Sequence, residues 1–374
     1  MIKLLSLFSG IGAFEAALRR EGYQFETVNY CEIDPYASKA YSQIHGISED
    51  FNLHDVRQVN TLLMDNINLM TWGWPCQDIS VAGKQRGFTD SDGNRTRSGL
   101  FFEGLRILET LQPEYAIAEN VKALTGKKFT AEFETVLTSL DKAGYNNYWK
   151  VLNAKDYGIP QNRETVFIVS IRKDIDTGAF TFPQKQPLHL RVKDMLESAV
   201  DEKFYINSDR VKKLIEKIKK ITEPVICRSV GRDPDNPSNR EKGCNTEQTL
   251  ELSPCLCVAG HVEPLKIMQV GNIEETGNFE NPQCGRIYSP EGLAPTLNTC
   301  GGGGREPKFI EEYRIRKLTP RECFRLMGFT DADFDKIKGI SNTQLYKMAG
   351  NSIVVNVLEA IFKQLFKENH NGFR

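Results

Sequence analysis

Over residues 1–171 short apolar runs alternate with amphipathic stretches, and this alternation limits the possible folds more than any other property of the chain. The runs at 2–8, 25–30, 67–72, 115–118, 149–152 and 166–171 have the length and bounding residues of buried strands. Segments 13–21, 35–44, 100–111 and 131–143 carry apolar residues at helical spacing. Strands and helices in alternation predict a doubly wound α/β domain built on a mostly parallel sheet.

From about residue 175 to 310 the texture changes. Pro, Gly, Asn and Cys become frequent, and GRDPDNPSNREKG and CGGGGREP are surface-loop sequences, so a second, smaller and irregular domain is expected. One helix at 208–221 carries Lys212, Lys213, Lys217, Lys219 and Lys220 and is read as a solvated face. Thr319-Pro320-Arg321-Glu322 is a capping box with proline at the first helical position, which starts a helix there. Val354, Val355, Leu358, Ile361, Phe362 and Leu365 then share one helical face that must be buried. The first domain lacks a closing helix in this reading, so the C-terminus is expected to return to it. The resulting division is 1–175, 176–318 and 319–374.

Two features bear on ligands. After the first run comes Phe8-Ser9-Gly10-Ile11-Gly12-Ala13-Phe14-Glu15, a glycine turn entering a helix. A dinucleotide fingerprint calls for glycine where Glu15 stands, and a carboxylate there opposes a pyrophosphate. S-adenosylmethionine has no phosphate and carries a sulfonium, so Phe8 and Glu15 suit it. Glu32 ends the second run, where an acidic side chain can accept from both ribose hydroxyls, and Asp55 follows as a partner for the adenine amino group.

The third run leads into Gly73-Trp74-Pro75-Cys76-Gln77. Cys76 thus stands beyond a strand end at the carboxyl edge of the sheet, where open α/β folds bind ligands, and Pro75 fixes the backbone that aims it. The fourth run ends in Glu119-Asn120-Val121 and delivers a carboxyl to the same edge. Thiol plus carboxyl suits addition to carbon 6 of cytosine, which is unfavourable unless ring nitrogen 3 receives a proton or a strong hydrogen bond. A target base must first leave the helical stack. Residues 77–98 form a long Gly-, Ser- and Arg-rich loop, read as a lid over DNA, with Ser80, Lys84, Arg86, Arg95 and Arg97 as candidate contacts.

Bulk properties permit this. A chain of 374 residues with 40% hydrophobic content can bury a full core. The net charge of -1 requires any basic DNA-binding surface to be local. The N-terminal apolar run is short for a signal peptide and no stretch approaches the roughly 18 residues of a membrane span, so a cytoplasmic place and reduced thiols are expected for the nine cysteines.

In order, FSGIG, GWPCQ, ENV, IPQNRE, RKLTPRECFRLMGF and QLYKMAGNSI resemble the motifs of the C5-cytosine-specific DNA methyltransferase family of bacteria and phages, over nearly the whole chain. The resemblance implies a Rossmann-like S-adenosylmethionine-dependent fold with a target recognition domain. It implies that Cys76 is the nucleophile, that Glu119 acts at cytosine nitrogen 3 and that Arg163 lies near the base. It also implies cofactor contacts from Phe8, Gly10, Gly12, Glu32, Ile33, Asp55, Pro75, Leu100, Asn351 and Ser352. The family usually has phenylalanine at Trp74 and a second arginine at Thr165; either Arg163 serves the cytosine carbonyl alone or a residue from elsewhere substitutes.

Arg228, Arg232, Arg240, Arg286, Asn298 and Arg305 are the candidates for reading bases in the recognition region. The expected partner is double-stranded DNA, with a cognate restriction endonuclease acting on the same site, no membrane, and a monomeric enzyme. Three alternatives stay open: a tRNA substrate for the same chemistry, a non-catalytic DNA-binding protein, and structural zinc on Cys255, Cys257 and His261 with Cys227, Cys244, Cys284 and Cys300. Against zinc, the spacings do not match paired zinc knuckles, and no metal is expected.

Overall fold

The structure is a computed structural model that describes residues 1–64, 66–79, 87–90, 92–220, 267–273, 283–299, 305–311 and 313–367. Its large sheet comprises β1 (Ile2–Leu7), β2 (Phe25–Cys31), β3 (Leu69–Trp72), β4 (Tyr115–Val121), β5 (Tyr145–Asn153) and β6 (Glu164–Arg172), in the order β2-β1-β3-β4-β6-β5. The β1/β2, β1/β3 and β3/β4 pairs are parallel, while β6 runs antiparallel to β4 and β5. Helices α1 (Ala13–Arg20), α2 (Pro35–His45), α3 (Phe101–Leu111) and α4 (Thr130–Lys142) fill the crossovers, as expected for a doubly wound fold. All four residues of β3 are buried, which is why it reads as an unbroken apolar run.

One boundary difference matters for function. The apolar run at 115–118 predicts a strand ending before Glu119, but β4 continues through Glu119 and Asn120 to Val121. The antiparallel partner β6 holds it there, with Glu119 opposite Phe167 and Val121 opposite Thr165. Ladder hydrogen bonds from a neighbouring strand extend regular structure past the point where hydrophobicity alone would stop it.

The C-terminal segment forms α6 (Pro320–Leu326), α7 (Asp331–Ile337), α8 (Asn342–Asn351) and α9 (Val355–Leu365). The capping box at Thr319 is present in both directions: the Glu322 amide donates to the Thr319 hydroxyl at 3.2 Å, and the Thr319 amide to the Glu322 carboxylate at 2.8 Å. Helix α9 returns to the large sheet and packs on α1. Phe14 meets Phe362 edge-on at 6.4 Å, Tyr23 meets Phe366 at 5.3 Å, and Arg20 pairs with Glu359 at 2.7 Å. Val354, Val355, Leu358, Ile361, Phe362 and Leu365 are all buried.

Where the sequence reads as irregular, four short strands form a second sheet: β7 (Gln269–Asn272), β8 (Arg286–Tyr288), β9 (Lys308–Glu311) and β10 (Arg314–Lys317), ordered β10-β9-β8-β7. Helix α5 (Asp209–Lys220) lies against it, and Val211, Leu214, Ile273, Ile287 and Ile315 form a small core of their own. Lys212 and Lys213 are exposed, in keeping with a solvated face. Strands of three or four residues leave too short a period for sequence to register. Phe180, Val192, Tyr288, Ala294, Leu297, Phe309 and Leu318 join the core shared with the large sheet, so the chain crosses repeatedly between the two sheets. No helix among the described residues is long and apolar enough to cross a membrane.

Candidate active site

Strand β3 ends at Trp72, and the next four residues carry the chain over the sheet edge to Cys76. The turn is tied from three sides. Ser98 donates its hydroxyl to the Pro75 carbonyl at 2.8 Å, the Ile79 amide closes a turn on the Cys76 carbonyl at 2.9 Å, and Asn120 donates its side-chain amide to the Trp74 carbonyl at 3.1 Å. The last bond ties the nucleophile turn to β4, one residue beyond Glu119. Gly73 lies against Glu119, whose Oε2 would be in ordinary contact with a Cβ there at 3.5 Å. Asn120, Ser98 and Asp78, which accepts from the Arg97 amide at 3.2 Å, received no role from the sequence. Asn120 could have been singled out, since it directly follows the glutamate in the ENV motif.

Arg163 stands just before β6 and joins Cys76 and Glu119 in one electrostatic cluster. Burial pushes the Glu119 carboxyl up to about 7, against the opposing pull of Arg163. Burial, with the Glu119 charge adding to it, pushes the Cys76 thiol up to about 11, and Arg163 again opposes. The guanidinium is itself held by backbone carbonyls: Nη1 donates to Leu297 at 3.0 Å, and Nη2 to Gly350 at 3.1 Å and Ser352 at 2.8 Å. Its Nε is buried with no hydrogen-bond partner. The carbonyls come from the recognition region and from the junction of α8 with α9, which approach each other closely. A Cβ on Gly350 would fall 2.2 Å from the Asn298 carbonyl oxygen, so only glycine fits.

The glycine turn leaves β1 with positive φ at Phe8 (53°), Gly10 (56°) and Gly12 (75°). Glu32 lies beyond β2, where its Oε2 accepts from the Gly10 amide at 2.9 Å and its Oε1 from the Asp34 amide at 2.7 Å. Burial raises its carboxyl above the ordinary range. The space beside Gly10 is open, and Ile33 next to Glu32 is 68% exposed, a large apolar side chain left uncovered at the sheet edge. Open space at Gly10, with an exposed Ile33 and the Glu32 carboxylate at the same edge, suits an adenosyl group, with its apolar base and hydroxyl-bearing ribose and without a phosphate. Leu100 is half-buried just before α3, Asn351 is exposed at the end of α8, and Ser352 is buried. Asp55 caps a short turn and grips Arg57 through both carboxylate oxygens, at 2.6 Å for the shortest contact.

One expectation requires correction. Glu15 does not face a ligand: it is fully buried on the inward face of α1 and accepts from the Tyr41 hydroxyl at 2.8 Å. A residue three positions into a helix packed on a sheet points into the core rather than out of the turn. Within the 77–98 loop the described residues 87–90 and 92–97 form turns and bends, with the Asn94 amide bound to Asp90 Oδ1 at 2.8 Å and Phe88 stacked on Phe101 at 5.7 Å. Aromatic packing anchors what its composition presents as a flexible stretch.

Arg95 and Arg97 are exposed, and Arg95 lies over the Phe102 ring at 4.8 Å. Arg286 on β8 and Asn298 are half-buried, and Arg305 is exposed. Ser80, Lys84, Arg86, Arg228, Arg232 and Arg240 lie outside the described residues, as do the zinc candidates apart from Cys284.

His45 is a further supporting residue that the sequence did not disclose. Its Nε2 lies 3.0 Å from the Ile11 carbonyl of the glycine turn, its Nδ1 lies 3.0 Å from Arg19, and burial lowers its pKa to about 4, so the neutral ring braces the turn. A Cβ on Gly12 would collide with it at 2.1 Å, which explains the glycine.

Comparison with known proteins bears on the whole chain. Residues 2–367 match the family model described as C-5 cytosine-specific DNA methylase. The orphan methyltransferase M.SPRI of Bacillus phage SPR is 34% identical, with 97% of each chain covered. The type II methyltransferase M.HhaI of Haemophilus parahaemolyticus is 32% identical, covering 96% of this chain and 93% of that protein. Among solved structures, the Entamoeba histolytica methyltransferase EhMeth superposes with a TM-score of 0.65 over 99% of both chains at 16% identity, a likeness of fold. The chain belongs to the C-5 cytosine-specific DNA methylase family.

Proposed function

We propose that this protein transfers a methyl group from S-adenosylmethionine to carbon 5 of a cytosine turned out of duplex DNA, through a covalent bond to Cys76. The observation that carries the proposal is the half-buried cluster of Cys76, Glu119 and Arg163 at the carboxyl edge of the large sheet, the edge that also carries the open space at Gly10.

Glu119 holds a proton near neutral pH and gives it to cytosine nitrogen 3 as the Cys76 sulfur bonds to carbon 6. While Glu119 holds that proton it is neutral and does not repel the charge on sulfur, and Arg163 favours the thiolate, whose own proton has gone to solvent. Electron density then reaches carbon 5. S-adenosylmethionine, when bound, supplies the electrophilic methyl on its sulfonium, and Glu32, Phe8, Ile33, Pro75, Leu100 and Ser352 would hold it. Loss of the carbon 5 proton to solvent restores the ring double bond as the Cys76 sulfur leaves carbon 6, and the proton on nitrogen 3 returns to Glu119. Asn120 and Ser98 keep the sulfur in place throughout by fixing the backbone on either side of it.

Exposed Arg95 and Arg97, next to the nucleophile turn, contact phosphates of the bound duplex, and Asn298, Arg286 and Arg305 belong to the side that reads the sequence. The test is bisulfite sequencing of plasmid DNA exposed to purified protein and cofactor. Protection at a defined sequence is expected from the wild type and none from Cys76→Ser. Methylation of tRNA in preference to duplex DNA, or protection by Cys76→Ser, would reject the proposal.

A further inference from the structure

Helix α7 follows the recognition region in sequence, yet it packs on α2 and reaches the back of the glycine turn. Lys336 donates from α7 to the Ile44 carbonyl near the end of α2 at 2.6 Å. Asp333, also on α7, accepts from Arg19 Nη2 at 2.7 Å, while its second carboxylate oxygen accepts from the Thr330 hydroxyl at 2.7 Å in the cap of α7. The same guanidinium turns Nη1 to His45 Nδ1 at 3.0 Å, and His45 Nε2 lies 3.0 Å from the Ile11 carbonyl. Groups from α7, α1, α2 and the turn therefore stand in one chain of contacts: Asp333, Arg19, His45 and Ile11.

The direction of each bond follows from what the groups can do. A guanidinium has only donors, so His45 Nδ1 must accept and carries no proton. The neutral ring then bears its proton on Nε2, aimed at the Ile11 carbonyl. A charged ring would set two cations against each other, and burial keeps the ring neutral, with its pKa near 4. Tyr41 flanks the imidazole, with ring centroids 4.8 Å apart, and its hydroxyl is tied in turn to Glu15 at 2.8 Å. Ile11 sits between Gly10 and Gly12, both at positive φ, where the backbone has the most freedom to lose and a bond to the intervening carbonyl restrains it most. We infer that His45 is a positioning residue for the cofactor: Asp333 and Arg19 select the tautomer whose Nε2–H holds the Ile11 carbonyl, and this bond keeps the glycine turn in the shape that admits S-adenosylmethionine. Helix α7 thereby contributes to cofactor affinity from behind the turn. The inference rests on the methyl-transfer reading above in taking the turn as the cofactor's place.

The test uses the full-length enzyme. In the cofactor-free wild type, nitrogen-15 resonances of the His45 imidazole should show a bare Nδ1 and a protonated Nε2, and Arg19→Met should move them toward a mixture of the two tautomers. Calorimetry with S-adenosylmethionine, in the absence of DNA, should find binding weakened about three- to tenfold in His45→Phe, the scale of one hydrogen bond. Its kcat at saturating cofactor should stay within about twofold of the wild type, as for a loss of binding alone. His45→Gln, whose amide can donate to the same carbonyl, should recover affinity to within about twofold of the wild type. Arg19→Met combined with His45→Phe should bind no more than about twofold worse than His45→Phe alone, because the two changes remove the same contact. A proton on Nδ1 in the wild type, unchanged affinity in His45→Phe, no recovery in His45→Gln, or losses that multiply in the double variant overturn the inference. The wild-type resonances do not depend on how well any variant folds. A wild type that binds no S-adenosylmethionine overturns instead the reading on which it rests.

Discussion

At the junction of the small sheet with the C-terminal helices, Arg316 of β10 is fully buried. Its Nη1 and Nη2 grip both oxygens of Glu322 at 2.9 and 2.8 Å, and its Nε meets Glu311 at 2.7 Å. At the carboxyl edge of the large sheet, Arg163 is half-buried, yet its bonds go to three uncharged carbonyls and its buried Nε–H goes unmatched. Burying a charge is costly, and the first region compensates for it internally while the second does not. The contrast separates a structural lock from a site whose hydrogen-bonding capacity is held for a ligand. The neighbours agree: Glu322 also accepts from the Thr319 and Glu197 amides, whereas burial keeps Glu119 near 7, on the edge of ionisation.

If the comparison holds, changes at the large-sheet edge should alter rate and changes at the junction should alter stability. Glu119→Gln should have the largest effect on rate, a loss of about 10²- to 10⁴-fold in kcat with cofactor affinity preserved. An unaffected rate would remove Glu119 from the chemistry. Its pH profile sharpens the point. The productive form has the proton on Glu119 and the charge on Cys76. It is a fixed fraction of the singly protonated pair between about 7 and about 11, so kcat/KM should climb to about pH 7 and then level off. In Glu119→Gln the acid limb near 7 should vanish and the residual rate should keep rising with pH. Because the folded carboxyl titrates above its ordinary value, its contribution to stability is lost as pH rises through about 7. Glu119→Gln should therefore raise the melting temperature more at pH 8 than at pH 5.5.

Arg316→Met leaves Glu322 buried without its partner and should cost about 3–5 kcal/mol in denaturant unfolding, with the folded fraction methylating normally. A rate loss without a stability loss would break the comparison. Glu32→Ala removes the acceptor for two backbone amides of the cofactor edge and the proposed ribose partner. Calorimetry should show about tenfold or greater weakening of S-adenosylmethionine binding, with kcat at saturation little changed. Arg97→Ala should be the mildest change, lowering the slope of log K against log salt for DNA binding by about one while leaving the chemical step alone.

Much of the large-sheet region was legible before any coordinates. Buried parallel strands declare themselves as apolar runs, and Cys76 and Glu119 stand where two such runs end, so both could be assigned to one edge. The return of α9 followed from an apolar face in need of cover. What escaped was set by contacts distant in sequence. Glu119 and Asn120 lie inside a strand because β6 pairs beside them, Glu15 points inward because α1 is packed, and the loop at Phe88 is anchored because that ring finds Phe101 and Phe102. The small sheet was invisible because its strands are three or four residues long and owe their order to Arg316 and a five-residue core rather than to a pattern. The open Nε–H of Arg163 could not have been read from sequence, since it is defined by the carbonyls that Leu297, Gly350 and Ser352 bring to the rest of the guanidinium.

The central claim is a bond from the Cys76 sulfur to carbon 6 of the target base. Fluorine at carbon 5 cannot leave as a proton does, so DNA containing 5-fluorocytosine should arrest the enzyme after methyl transfer. Mass spectrometry of the protein incubated with such DNA and S-adenosylmethionine should find the methylated nucleotide attached to the peptide containing Cys76, and nothing attached in Cys76→Ser. Methylation of ordinary cytosine with no such adduct, or an adduct on another cysteine, would contradict the account.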